Sequence, residues 1–250
     1  MNKQIKTTAI IIAGLVVIGL IVLVVIKQPV SQLADGDKKE RPEGVPEEML
    51  ANQDSEAAQA TQDLINDLVV DNNQEIVEVP GMPATEPELD ENGEMIVPDI
   101  KPIKMVIAAP GTSGINVETG KVVDERGVEL SNEAQVGSQI APQESYPIDP
   151  KDLPKSAIRL EVNSTSFSPA EFTVNRGQAV NLAVTNVNDS TSSERLRFDD
   201  QSLKAVTVGL PKGVTKSITF NAPSVAGEYT FYSDMFNHRD QGAVGKMIVK

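Results

Sequence analysis

The sequence predicts a protein in three parts: an N-terminal membrane-spanning helix, a long acidic linker and a C-terminal all-β sandwich of the Greek-key type. Three features predict this organisation. An uncharged apolar run of twenty residues lies near the N-terminus, thirteen of the sixteen prolines lie between residues 29 and 154, and eight of the nine aromatic residues lie between residues 167 and 236. Only the C-terminal part therefore has the side chains for a sizeable core.

The apolar run is TTAIIIAGLVVIGLIVLVVI at residues 7–26. At about 1.5 Å per residue, a helix of this length spans the roughly 30 Å hydrocarbon core of a bilayer. The run is longer than the apolar part of a signal peptide, and no small-residue cleavage site follows it. We therefore predict a retained anchor in residues 1–27, with a cleaved signal peptide as the alternative. The protein would be a single-pass protein of the cell membrane, with its C-terminal domain extracytoplasmic.

Residues 28–155 have the composition of an extended linker. They contain 27 acidic and nine basic residues, and this excess accounts for the net charge of −14 of the whole chain. Residues 51–100 contain thirteen acidic residues and no lysine or arginine. Many prolines and few aromatic residues are typical of segments that bury too little apolar surface to fold. The sequence thus predicts an acidic, mostly disordered stalk.

One stretch of this linker, SEAAQATQDLINDLVV at residues 55–70, has helical features. Ser55 can cap a helix, and alanine and glutamine favour one. The apolar residues that share one helical face are Leu64, Ile65, Leu68 and Val69. We predict a short helix here, which pairs with a partner helix or with itself.

Residues 156–250 consist of short β-rich runs separated by turn signals. The runs are AIRLEV, EFTV, AVNLAVT, KAVTV, KSITFNA, EYTFYS and KMIV, and the turns between them include NRG, NVNDS, PKG and SVAG. Most runs alternate apolar and polar residues, as strands with one buried face do. The spacing leaves no room for crossover helices, so the pattern predicts an antiparallel Greek-key sandwich.

Composition also excludes several functions. Residues 156–250 contain ten basic and nine acidic residues, which argues against binding nucleic acid through bulk charge. The chain has no cysteine, so it has no disulfide, no thiolate metal ligand and no catalytic thiol. Ser233 and His238 lie near each other, but no G-x-S-x-G elbow surrounds the serine. We therefore predict a protein that is not an enzyme.

Three ordered segments carry a family resemblance: FSPAEFTVNRGQAVNLAVTN, RFDDQSLKAVTVGLPKGVTKSITFNAPSVAGEYTFYS and HRDQGAVGKMIVK. This series resembles the cupredoxins, specifically the plastocyanin-like and EfeO-type cupredoxin domains. The resemblance extends over residues 156–250, and the elements G-x-Y-x-F-Y and G-K-x-x-V are its most specific parts. It implies a cupredoxin-like sandwich.

The resemblance also implies a copper site made of two histidines, a cysteine thiolate and usually an axial methionine. At the places of the cysteine and the methionine this sequence has Ser233 and Ala243, and His238 is at the place of one histidine. The other histidine falls at Glu194 or Arg195. A serine hydroxyl is a poor copper ligand, so electron transfer does not follow from the fold.

His238 is thus the one candidate metal ligand. It is either a loop histidine with a structural hydrogen bond or part of a weak site with Glu194, Asp234 or Asp240. Three functions remain open: a binding module without a type 1 copper site and without a cofactor, a copper-binding or electron-transfer protein with an altered site, and an accessory domain of a membrane oxidase or metal-uptake complex. We favour the first, with the membrane and an extracytoplasmic protein or ligand as partners.

Overall fold

The structure, a computed structural model, describes residues 47–71, 75–81, 102–189 and 192–250. The anchor predicted at residues 7–26 lies outside these ranges. Within them, no helix has both the length and the apolar character needed to cross a bilayer.

Residues that precede the sandwich form one helix and a small antiparallel sheet. These elements are α1 (Glu47–Asp71), β1 (Val77–Pro80), β2 (Pro102–Ile107), β3 (Gly114–Asn116) and β4 (Val122–Val123). The helix α1 contains the stretch predicted to be helical, residues 55–70. Leu64, Ile65 and Leu68 are buried, and they pack with residues of the small sheet and with Ala179 of the sandwich. The apolar face of α1 therefore covers this sheet.

This arrangement differs from the extended linker predicted for residues 28–155. The amide of Asn132 donates to the carbonyl of Asn221 at 2.6 Å, and the backbone N–H of Ala179 donates to the hydroxyl of Thr61 at 3.1 Å. Composition alone is misleading here because the short apolar strands of residues 102–155 form a small core of their own together with α1 and Ala179. The ordered part of the chain thus begins before residue 156.

Among the described residues, nine strands form the sandwich. One sheet has five strands, and these are, in spatial order, β10 (Thr207–Leu210), β9 (Glu194–Phe198), β12 (Gly227–Ser233), β13 (Val244–Val249) and β7 (Glu171–Val174). The other sheet has four, and these are β11 (Thr215–Asn221), β8 (Ala179–Asn186), β5 (Ile158–Asn163) and β6 (Ser166–Ser168).

The prediction of an all-β sandwich is confirmed, with one difference in strand direction. The pairs β5–β8 and β7–β13 are parallel, whereas the other pairs in the two sheets are antiparallel. Parallel neighbours need a long connection. Between the two strands of each parallel pair, the chain forms at least one strand of the opposite sheet, and this provides the long connection.

The core between the two sheets is apolar and centred on aromatic rings. Phe231 is fully buried, and its ring centroid lies 5.0 Å from that of Phe167, 5.6 Å from that of Phe172 and 5.8 Å from that of Phe198. Such edge-to-face and stacked ring pairs fix neighbouring strands against each other. They set the relative positions of β9 and β12, whose ends carry the candidate site.

Candidate functional site

Three polar side chains meet inside the end of the sandwich where β9 begins and β12 ends. Glu194 is the first residue of β9 and Ser233 is the last residue of β12, and His238 lies in the loop between β12 and β13. Their exposed fractions are 1%, 0% and 6%. Polar groups buried this deeply require hydrogen-bond partners.

The carboxylate of Glu194 is the centre of the cluster. Its Oε2 accepts a hydrogen bond from the hydroxyl of Ser233 at 2.5 Å and lies 2.9 Å from Nδ1 of His238. Its Oε1 accepts a hydrogen bond from the amide of Asn188 at 2.8 Å. Because an ionised carboxylate only accepts, the tautomer of His238 that suits this contact is the one with a hydrogen on Nδ1. All the polar atoms of this carboxylate are therefore satisfied by the protein.

Alternation along β9 explains why Glu194 points inward. Leu196 and Phe198 are buried in the same core, and the arginines at 195 and 197 alternate with them on the outer face. The resemblance left Glu194 and Arg195 as alternatives for the place of the second histidine. The structure puts Glu194 inside the sandwich, whereas the Arg195 side chain is 49% exposed.

Backbone hydrogen bonds fold the loop at residues 234–243 onto the end of β12. The N–H of Ser233 donates to the carbonyl of Ala243 at 3.0 Å, and the N–H of Ala243 donates to the carbonyl of His238 at 3.0 Å. Ser233, His238 and Ala243 are thereby brought together, as the resemblance implies for these positions. His238 and Glu194 then link the loop to the start of β9.

Neither of the other carboxylates considered as metal ligands joins this cluster. Asp234 accepts hydrogen bonds from Arg195 at 2.7 and 2.8 Å and from Arg197 at 3.2 Å. Asp240 is exposed on the loop. The hydrogen bonds to Asp234 raise the pKa of the Arg195 guanidinium above its ordinary value, so this guanidinium keeps its positive charge.

Asn188 is the site residue that the sequence did not predict. Its amide contacts Glu194 and also donates to the hydroxyl of Ser164 at 2.6 Å. It lies in the loop after β8, where no periodic pattern marks a side chain as inward or outward. The backbone N–H of Asn188 also donates to the side chain of the buried Asn186 at 2.9 Å, and together these contacts fix its direction.

The residues of the cluster do not fit the copper ion of the family. A type 1 site needs a thiolate and two imidazoles, and the whole chain has no cysteine and one histidine. The Nδ1 atom of that histidine is bonded to Glu194. Within the part of the chain that the structure describes, no three histidine, cysteine, aspartate or glutamate side chains converge to hold a metal ion.

The cluster also lacks the geometry of a hydrolytic triad. In such a triad the serine hydroxyl bonds the imidazole, and the imidazole bonds a carboxylate. Here the hydroxyl of Ser233 donates to Glu194, and His238 bonds the same carboxylate oxygen. The hydroxyl of Ser233 therefore donates to the Glu194 carboxylate. It does not bond the His238 imidazole, which would have to act as its base.

Comparison with known proteins agrees with this fold. A family model described as a cupredoxin-like domain matches residues 143–249. This range begins earlier than the predicted boundary at residue 156, and in the structure Ser145 pairs with Ser217 at the edge of β11 through two hydrogen bonds of 2.7 and 2.8 Å. No curated protein matches the chain.

Solved structures similar to this chain include three auracyanins. The dithionite-reduced auracyanin of Roseiflexus castenholzii is 20% identical, covers 38% of this chain and 96% of its own, and has a TM-score of 0.34. Auracyanin B is 17% identical, with 44% and 98% covered and a TM-score of 0.35. Auracyanin A of Chloroflexus aurantiacus, a blue copper protein, is 21% identical, with 38% and 98% covered and a TM-score of 0.32.

These similarities concern the fold alone. Residues 143–249 match the family model of a cupredoxin-like domain, and they contain no cysteine, which a type 1 copper site requires.

Proposed function

We propose that the chain is a membrane-anchored, extracytoplasmic interaction module in which the Glu194 carboxylate takes the structural place of a copper ion. One observation carries this proposal. Glu194 Oε2 lies within hydrogen-bond distance of both Ser233 and His238, which stand where the resemblance places two copper ligands. A copper ion would join the end of β12, the loop after it and the start of β9, and here a carboxylate joins them.

The donor chemistry supports a role other than electron transfer. A one-electron carrier needs a redox centre, and a hydroxyl, a carboxylate and an imidazole already bonded to each other do not supply one. Catalysis has little support too, since Glu194, Ser233 and His238 are all buried and a substrate would not reach them. What the network does provide is a loop held rigidly at the surface, and a rigid loop suits recognition of a partner.

The predicted anchor and the acidic composition of the preceding segment support the proposed location. The uncharged run at residues 7–26 has the length of a membrane span. Residues 51–100 contain acidic residues and no basic ones, so this segment has no basic cluster with which to bind anionic lipid head groups. The module would then be displayed away from the bilayer, toward partners outside the cell.

Copper titration of the full chain tests this proposal. We expect no stoichiometric binding at micromolar copper by calorimetry and no visible absorption band, for the wild type and for His238→Ala alike. Stoichiometric binding by the wild type that disappears in the His238→Ala variant would overturn the proposal. It would establish the second candidate, a copper protein with an altered site, because His238 is the one imidazole in the chain.

A further inference from the structure

The outer face of the five-stranded sheet carries a group of arginine and aromatic side chains next to the loop after β12. Arg195 and Arg197 alternate with the buried residues of β9, and Tyr232 of β12 is paired in register with Arg197. The arginine patch, as we name it, consists of Arg195, Arg197, Tyr232, Phe236 and Arg239.

Two aspartates hold the three arginines in fixed positions. Asp234 binds Arg195 through two hydrogen bonds and Arg197 through one of 3.2 Å, and Asp199 binds Arg239 at 2.7 and 2.6 Å. The guanidinium carbon of Arg239 also lies 4.3 Å from the centre of the Tyr232 ring. Guanidinium groups that are already immobilised lose little entropy when they bind a ligand.

The two aspartates do not neutralise all the positive charge of the three arginines, and they do not bind all the N–H donors of these arginines. The three guanidinium groups face two carboxylates, and each guanidinium has five N–H donors, of which the aspartates take only one or two. Arg197 shares a carboxylate that is bidentate to Arg195, and its side chain is 41% exposed. The outward donors of Arg197 and Arg239 are therefore suited to additional carboxylates.

Phe236 adds an exposed apolar side chain on the loop that also carries Arg239, and its ring centroid lies 5.7 Å from that of His238. It is 79% exposed, and its φ of 49° lies in the left-handed region that residues other than glycine seldom adopt. The loop holds it there through hydrogen bonds on its C-terminal side, from the N–H of His238 to the carbonyl of Met235 at 3.1 Å and from the side chain of Gln241 to that of Asn237 at 2.7 Å. A strained backbone that displays a large aromatic side chain is typical of binding sites.

We propose that the arginine patch binds an acidic segment of a partner protein, whose carboxylates contact Arg197 and Arg239 and whose apolar pocket receives Phe236. This inference rests on the proposed function and specifies the partner. Arginine, tyrosine and phenylalanine are enriched at protein interfaces, and arginine and tyrosine are among the residues that contribute most to their binding energy. An anionic bilayer fits this patch less well, because two aspartates lie within it and it offers a single exposed apolar anchor.

Fluorescence anisotropy with two labelled peptides tests the inference on the full chain. One peptide contains glutamates around a single phenylalanine, and the other has glutamine in place of every glutamate. We expect the glutamate peptide to bind, and its binding to weaken as sodium chloride is added. The double substitution Arg197→Gln and Arg239→Gln should weaken it by about tenfold or more, and so should Phe236→Ser.

The matched control is Lys246→Gln, which removes an exposed positive charge from β13 of the same sheet, where Lys246 pairs with Glu228 at 2.6 Å. This variant should bind the glutamate peptide like the wild type. Equal loss of binding in this control and in the arginine variant would overturn the inference, and so would binding of phosphatidylglycerol vesicles but of neither peptide.

Both peptides could bind equally well to the wild type and fail to bind the Phe236→Ser variant. That result would also overturn the inference that the partner is acidic. That outcome would leave the proposed function standing, since the loop would still be a binding surface. The proposed function itself fails on copper binding, which none of the peptide measurements detects. The two failures are thus separate.

Discussion

Replacing Glu194 by alanine should lower the free energy of unfolding of the folded domain by about 3 to 5 kcal/mol, the cost typical of removing one partner from a buried ionic or hydrogen-bonded pair. The alanine leaves the donors of Ser233, His238 and Asn188 without their acceptor in a region closed to water. It also leaves a cavity where the carboxylate was. Urea denaturation of the full chain, followed by circular dichroism, measures the loss.

Two further variants make this result specific. Glu194→Gln keeps the shape and one acceptor oxygen but turns an N–H group toward a donor, so its loss of stability should be intermediate. Glu228→Ala removes an exposed glutamate from β12 and should leave the stability nearly unchanged. If Glu194→Ala unfolded at the same urea concentration as Glu228→Ala, the carboxylate would not be what holds the loop.

The second large effect is a gain of copper binding. The double substitution Glu194→His and Ser233→Cys should produce a chain that binds one copper(II) ion and shows an intense visible band. It supplies the second imidazole and the thiolate that join His238 in the trigonal set of a blue site. Ala243 stays unchanged because it is fully buried, and methionine there would overpack the core.

The two single variants are the controls for this experiment. Glu194→His provides two imidazoles without a thiolate, and Ser233→Cys provides a thiolate beside the carboxylate, so neither should show the intense band. A double variant that retains the circular dichroism spectrum of the wild type yet binds no copper would contradict the account. In that case Glu194 and Ser233 would not stand at ligand positions.

Periodicity predicts most of the sandwich but not all of it. Seven runs with β-rich or alternating sequence correspond to strands, and KMIV, for example, falls within β13. β9 was not predicted, although its sequence ERLRF alternates, because arginines and a glutamate weaken its apolar signal. The alternation is visible only when Leu196 and Phe198 are known to face the core.

The packing of α1 and the contacts inside the site could not be predicted from the sequence, for two different reasons. The apolar face of α1 is predicted correctly, but the partner predicted for it, another helix, is wrong, because the face packs on the small sheet. That sheet was not predicted, since β2 to β4 are short and lie in a segment rich in prolines and acidic residues. The absence of most copper ligands is predicted from the residues at the motif positions. The replacement contact is not, because the pairing of Glu194 with His238 depends on where the start of β9 meets the loop after β12, 44 residues further along the sequence.

The most direct test of the account concerns a single atom, Nδ1 of His238. The chain has one histidine, so a long-range proton–nitrogen NMR spectrum of the imidazole needs no assignment. If Glu194 holds the imidazole, we expect a protonated Nδ1 whose signals are unchanged when copper(II) is added. An Nδ1 without a proton, or imidazole signals that broaden stoichiometrically with copper, would show that this atom is free to bind metal and would contradict the account.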